Sequence, residues 1–120
     1  MAEGRMRRVD EAIRQVLGDA VTGELKDPRV GFVTVTDVST SPDLRHARVY
    51  YSVLSAEGRP SSLRERADSQ LGLESAHGFL QSRIADELHL RRTPELRFIY
   101  DGTTDRAMRV GELLEDEQER

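Results

Sequence analysis

Apolar residues recur along the first part of the chain at the spacing of one helix face. Met6, Val9, Ile13, Val16, Leu17, Ala20 and Val21 form a single stripe, which predicts a helix over about residues 6–25. Arg5, Arg7, Arg8 and Arg14 surround its first turns, and Lys26-Asp27-Pro28 is its expected stop, because proline biases its predecessor away from helical angles. The period then changes. Between Val30 and Ser39, Val33 and Val35 alternate with Thr34 and Thr36 in a β-branched run that predicts a strand, and Ser41-Pro42-Asp43 supplies turn chemistry. Next, Ala47, Val49, Tyr51 and Val53 share one face while Arg48, Tyr50 and Ser52 share the other. This second strand is expected to pair antiparallel with the first, and Glu57-Gly58-Arg59-Pro60 closes it.

Ser62 followed by Glu65 is a capping-box signature, and Leu63, Ala67 and Leu71 carry a helix onward. Gly72 and Gly78 interrupt it, each costing about 1 kcal/mol relative to alanine inside a helix, before Leu80, Ile84 and Leu88 restart the spacing. Two helices meeting at Ala76-His77-Gly78 account for this better than one long helix, since glycine tolerates kink angles and lets another backbone approach. Thr93-Pro94 is the expected end of the second helix. Leu96, Phe98 and Tyr100 then alternate with Arg97 and Ile99 in a third strand, and Ala107, Val110, Leu113 and Leu114 suggest a short last helix. The order predicts an α+β fold with a three-stranded mixed sheet packed against helices. The helical crossover before the third strand permits a parallel pair and leaves the strand order open.

With 120 residues, 37% of them hydrophobic, the chain fits one domain able to bury a core without staples, and zero cysteines remove disulfides and thiolate chemistry. The expected domain is residues 1–114, followed by an acidic, disordered tail at 115–120. No apolar run exceeds three residues and no secretion signal is visible, so the expectation is a cytoplasmic monomer without a membrane partner. The net charge of −4 argues at first against nucleic acid. Residues 1–111, however, carry 17 basic and 17 acidic side chains, and the whole excess lies in the last nine residues. That tail is either a solubilising end or an autoinhibitory mimic of RNA.

Several separated segments carry a family resemblance. Leu25-Lys26-Asp27-Pro28-Arg29-Val30-Gly31, Asp43-Leu44, Ala47-Arg48-Val49-Tyr50, Gly78-Phe79-Leu80 and the run from Arg91 to Asp101 together resemble ribosome-binding factor A, over about residues 6–114. The resemblance implies a KH-like domain of the second topological type and a non-catalytic bacterial assembly factor. It further implies binding to 16S rRNA and its precursor in free or immature 30S subunits, near the decoding-region helix and the 3′ end, in support of late maturation and 5′-end processing. Ordinary KH domains clamp the nucleic-acid backbone with Gly-x-x-Gly. This chain has none; Ala76-His77-Gly78 stands where the family carries an Ala-x-Gly kink.

A kink there exposes the start of a helix, whose free N–H groups and dipole favour a phosphate. Ser75, Ala76, His77 and Gly78 are the central RNA-binding candidates, and Arg83, Arg91 and Arg92 extend a basic surface from them. Lys26, Arg29, Arg45 and Arg48 flank it. His77 has an alternative reading as a partly buried polar residue. An RNA-binding assembly factor, a protein–protein adaptor and a small hydrolase all remain open on the residues themselves. The hydrolase is the poorest fit: a calcium loop starting at Asp101 has Arg106 where its glycine belongs, and a phosphatase motif has Ile99 in place of the nucleophilic aspartate. His46, His77 and His89 lack metal-ligand spacing, so no metal or cofactor is expected.

Overall fold

A computed structural model describes residues 2–55 and 57–103, with side chains from residue 4 onward. The expected helix of Ala107, Val110, Leu113 and Leu114 and the acidic tail lie outside the described residues.

Helix α1 (Ala2–Gly23) turns its apolar stripe inward, with Ile13 and Leu17 fully shielded from solvent. It begins ahead of the stripe and stops short of the expected proline signal. The N–H groups of Glu24 and Leu25 both fold back onto the Ala20 carbonyl at 2.9 and 3.0 Å, satisfying the last turn before Pro28 is reached.

Strands β1 (Phe32–Thr40) and β2 (His46–Leu54) form the expected antiparallel pair, with Val33 opposite Val53 and Val35 opposite Tyr51. Thr36 then breaks the alternation. Asp37 rather than Thr36 faces Tyr50, and beyond this bulge the buried positions become Val38 and Thr40. The Thr36 hydroxyl bonds the Tyr50 carbonyl at 3.2 Å and the Asp101 carboxylate at 3.3 Å, so the extra residue is held at a fixed place.

Helix α2 (Leu63–Ser75) starts with the predicted capping box: the Glu65 N–H donates to Ser62 Oγ at 3.1 Å and the Ser62 N–H to Glu65 Oε1 at 3.0 Å. Helix α3 (His77–Leu88) follows at once, and it ends at Leu88 rather than at Thr93-Pro94, because His89 takes up left-handed angles (φ 47°) and reverses the chain. Strand β3 (Glu95–Tyr100) then lies parallel to β2. The sheet order is β1-β2-β3, a mixed three-stranded sheet with its helices on one face.

Val33, Val35, Val38, Ala47, Val49, Tyr51, Val53 and Leu96 face the helices and pack with Ile13, Leu17, Leu73, Leu80 and Ile84. Tyr51 shows how a polar atom is accommodated there. Its hydroxyl donates to the Gln70 side-chain carbonyl, whose amide donates in turn to the Phe98 carbonyl at 3.0 Å, while the Tyr100 ring stands edge-on at 5.8 Å. Burial pushes the Tyr51 phenol up to about 12. The opposite sheet face carries Thr34, Ser39, His46, Arg48, Arg97 and Ile99, all exposed.

Candidate functional site

The helix break falls where the sequence placed it, but the two glycines have other roles than expected. Ala76 makes the turn, with φ −88° and ψ 5°, its N–H reaching the carbonyls of Gly72 and Leu73 at 3.1 Å each. Gly78 is not at a positive φ, and a Cβ built on it meets nothing within 4 Å. It leaves a bare surface on the first turn of α3. The close approach is at Gly72 instead, where a Cβ would come within 2.4 Å of Val30 Cγ2. No side chain caps α3, so its first-turn N–H groups are available to solvent or to a ligand.

Facing this turn is the β1–β2 loop. Ser41 Oγ donates to Asp43 Oδ1 at 2.7 Å and accepts from the His46 N–H at 3.1 Å, and the Arg45 N–H donates to Asp43 Oδ1 at 3.1 Å. The Ser41 hydroxyl, then the Arg45 N–H, hold the Asp43 carboxyl below its usual range. Leu44 adopts φ 61° to complete the turn. Across the loop, the Glu95 N–H donates to the Arg45 carbonyl at 2.9 Å and the Gln81 amide to the Pro94 carbonyl at 3.2 Å. These bonds fix β3's approach against both α3 and the loop. Between them lies an open cleft of about 550 Å³ lined by Arg45, His46, His77, Gln81, Arg92 and Glu95. A smaller recess of about 370 Å³, bordered by Leu44, Arg91 and Arg92, adjoins it.

The structure therefore gathers Arg45, His77 and Arg92 on the cleft and Arg91 on the recess beside it, has Ser75, Ala76 and Gly78 at the break itself, and distributes the remaining candidates elsewhere. Ser75 Oγ accepts from Arg29 at 3.0 Å, and Arg29 grips the Asp27 carboxylate with both Nε, at 3.0 Å, and Nη2, at 2.6 Å. The Arg29 guanidinium and backbone N–H hold the Asp27 carboxyl down to about 2. Arg29 thus ties the α1–β1 loop to the end of α2. Arg83 lies between Glu87 and Glu24, the latter at 3.1 Å, and closes α3 onto the end of α1 rather than extending the cleft. Lys26 is exposed in the α1–β1 loop and Arg48 is exposed on the sheet's open face; neither lines the cleft. His46, Gln81 and Glu95 were missed. Gln81 follows His77 by one helical turn, a spacing that could have shown it; His46 and Glu95 reach the cleft only through the strand pairing.

Asp101 serves as turn chemistry, accepting from the Thr103 N–H at 3.0 Å. Among the described residues no three or more His, Asp or Glu side chains are placed to hold a metal ion, and no helix is long and apolar enough to cross a membrane.

Fold and site together define a small α+β domain with an open cleft at a helix break, lined by Arg45, His77 and Arg92. The sequence profile of one family, Ribosome-binding factor A, matches residues 5–114. A relative from Chloroflexus aurantiacus, named ribosome-binding factor A, is 44% identical over 115 residues, covering 95% of this chain and 86% of its own. The chain belongs to the ribosome-binding factor A family. The crystal structure of ribosome-binding factor A from Thermus thermophilus has the same fold, with a TM-score of 0.66 at 23% identity over 79% of this chain and 94% of that one. A Thermus thermophilus homology model fitted into the cryo-electron-microscopy map of a complex with the 30S subunit gives 0.59 at 24% identity, over 78% and 92%.

Proposed function

We propose that this protein is a non-catalytic assembly factor that binds 16S rRNA or its precursor in free or immature 30S subunits, in the cytoplasm and as a monomer. In this reading it assists late maturation of the small subunit, including processing of the rRNA 5′ end, and its α+β domain works as a KH-like module. The observation that carries the reading is the convergence of Arg45, His77 and Arg92, from three separate segments, on the uncapped start of α3. Arg45, whose Nε lies 3.6 Å from Asp43 Oδ2, and Arg92 bring guanidinium groups to an open cleft beside uncapped N–H groups, a combination that suits a phosphate backbone. Gly78 keeps the approach bare, taking the part that Gly-x-x-Gly plays in ordinary KH domains. The Thermus relative seen with the 30S subunit supports the same class of partner.

The test is co-sedimentation of the purified protein with small subunits over a salt series. Binding is expected to be stronger to immature than to mature particles and to weaken steeply as salt rises. Arg45→Gln and Arg92→Gln should each lower affinity and reduce the salt slope by about 1. Equal binding to RNA-free ribosomal proteins, or affinity indifferent to salt, would replace this reading with a protein–protein adaptor.

A further inference from the structure

We propose that the open face of the sheet holds a second RNA phosphate site, built on Arg48 and Arg97, onto which the strand bound in the kink cleft continues. The inference rests on the RNA-binding reading above and extends it to a surface on the other side of the sheet.

Arg48 and Arg97 are direct register partners in the parallel β2–β3 ladder, and Ser39 is the partner of Arg48 on β1, giving a Ser39-Arg48-Arg97 row across all three strands. All three are exposed. Like charges directly opposite each other on a sheet repel, and among the described residues neither guanidinium has an ion-pair or side-chain hydrogen-bond partner to relieve the pair. The two guanidiniums flank a recess of about 480 Å³ that is also lined by Ser39, Ser41, His46 and Ile99, with no carboxylate on its walls. An anion bridging both arginines converts the repulsion into two charge-assisted hydrogen-bond sites.

Position selects the anion. His46 lines both this recess and the kink cleft, so the two are neighbours around the start of β2. From Arg45, in the loop just ahead of β2, to Arg48 the chain can span at most about 10 Å, the reach of about three phosphates at the rise of a helical strand. The basic first turns of α1, carrying Arg5, Arg7 and Arg8, are anchored at the same end, where Asp10 accepts from the Thr40 N–H at 2.8 Å. A polyanion, rather than an isolated phosphate, matches such a run.

The chain has no cysteine, so Ser39→Cys and Ser75→Cys each give one attachment point for an iron chelate that generates hydroxyl radicals. On immature small subunits, radicals from both positions are expected to cut rRNA. In parallel, Arg48→Gln/Arg97→Gln should lower the salt slope by about 1.4–1.8 and so lose about 25- to 60-fold in affinity near 0.1 M salt relative to 1 M, while the double lysine variant keeps the slope. Cuts from Ser75→Cys without cuts from Ser39→Cys overturn the sheet site and leave the cleft intact. A double glutamine variant that binds with the wild-type slope also overturns it, as does one that loses affinity at unchanged slope, which marks a protein partner. Absence of cuts from both positions defeats the RNA-binding reading itself. Should the double glutamine variant fold poorly, the cleavage pair still decides, because it retains both arginines.

Discussion

Gly72 and Gly78 flank the same turn at Ala76, yet one faces the interior and the other faces solvent. At Gly72 the missing side chain is filled by Val30, which brings the α1–β1 loop onto α2. At Gly78 the missing side chain is filled by nothing. The contrast separates two reasons for keeping a costly residue in a helix: one glycine allows packing within the fold, the other keeps a surface bare where α3 begins uncapped beside Arg45, His77 and Arg92.

Substitution should make that division visible. Gly72→Ala places a Cβ against Val30 and is expected to destabilise the protein by about 1–2 kcal/mol, the overpacking cost less the gain in helix propensity. Denaturant unfolding measures it, and adding Val30→Ala should recover most of the loss; a neutral Gly72→Ala would break the comparison. Gly78→Ala should go the other way, stabilising by up to about 1 kcal/mol because the position is helical and open. The same variant is expected to weaken binding to small subunits, and unchanged binding would strip Gly78 of its role at the surface.

A smaller effect tests the other tie between the loop and α2. Asp27 is held down to about 2 from 3.8 by Arg29, so the native state favours its carboxylate. The stability this supplies is complete above about pH 4 and is lost as pH falls through about 2. Asp27→Asn removes it, and the variant's unfolding midpoint should therefore fall less steeply than the wild type's between those values.

Much of this architecture was legible because local pattern and tertiary demand agree. The stripe from Ile13 to Val21 and the faces of β2 follow from periods of 3.6 and 2, and the Ser62-Glu65 box from its Ser-x-x-Glu spacing. The Thr36 bulge was not visible, since Val33-Thr34-Val35-Thr36 continues an unbroken alternation and only pairing with β2 shows where it slips. The end of α3 hid for a related reason: His89 accepts left-handed angles that favour glycine or asparagine, and no residue type announced it. At the site, the break was found from glycine content, although the wrong glycine was credited with the close approach. Arg83 illustrates the limit for charges. Its neighbour Glu87 is one helical turn away, but Glu24 arrives from the far end of α1.

The parallel placement of β3 has a consequence for how the cleft comes into being. Five residues join β1 to β2, whereas 40 residues separate Leu54 from Glu95. Closing a loop about eight times longer costs about 2 kcal/mol more in chain entropy. The hairpin can form from local contacts, but the Glu95–Arg45 bond that completes the cleft requires the long crossover to be in place. Formation of the cleft is thereby coupled to completion of the fold: a partly folded chain can present the hairpin's arginine, while the cleft belongs to the finished molecule.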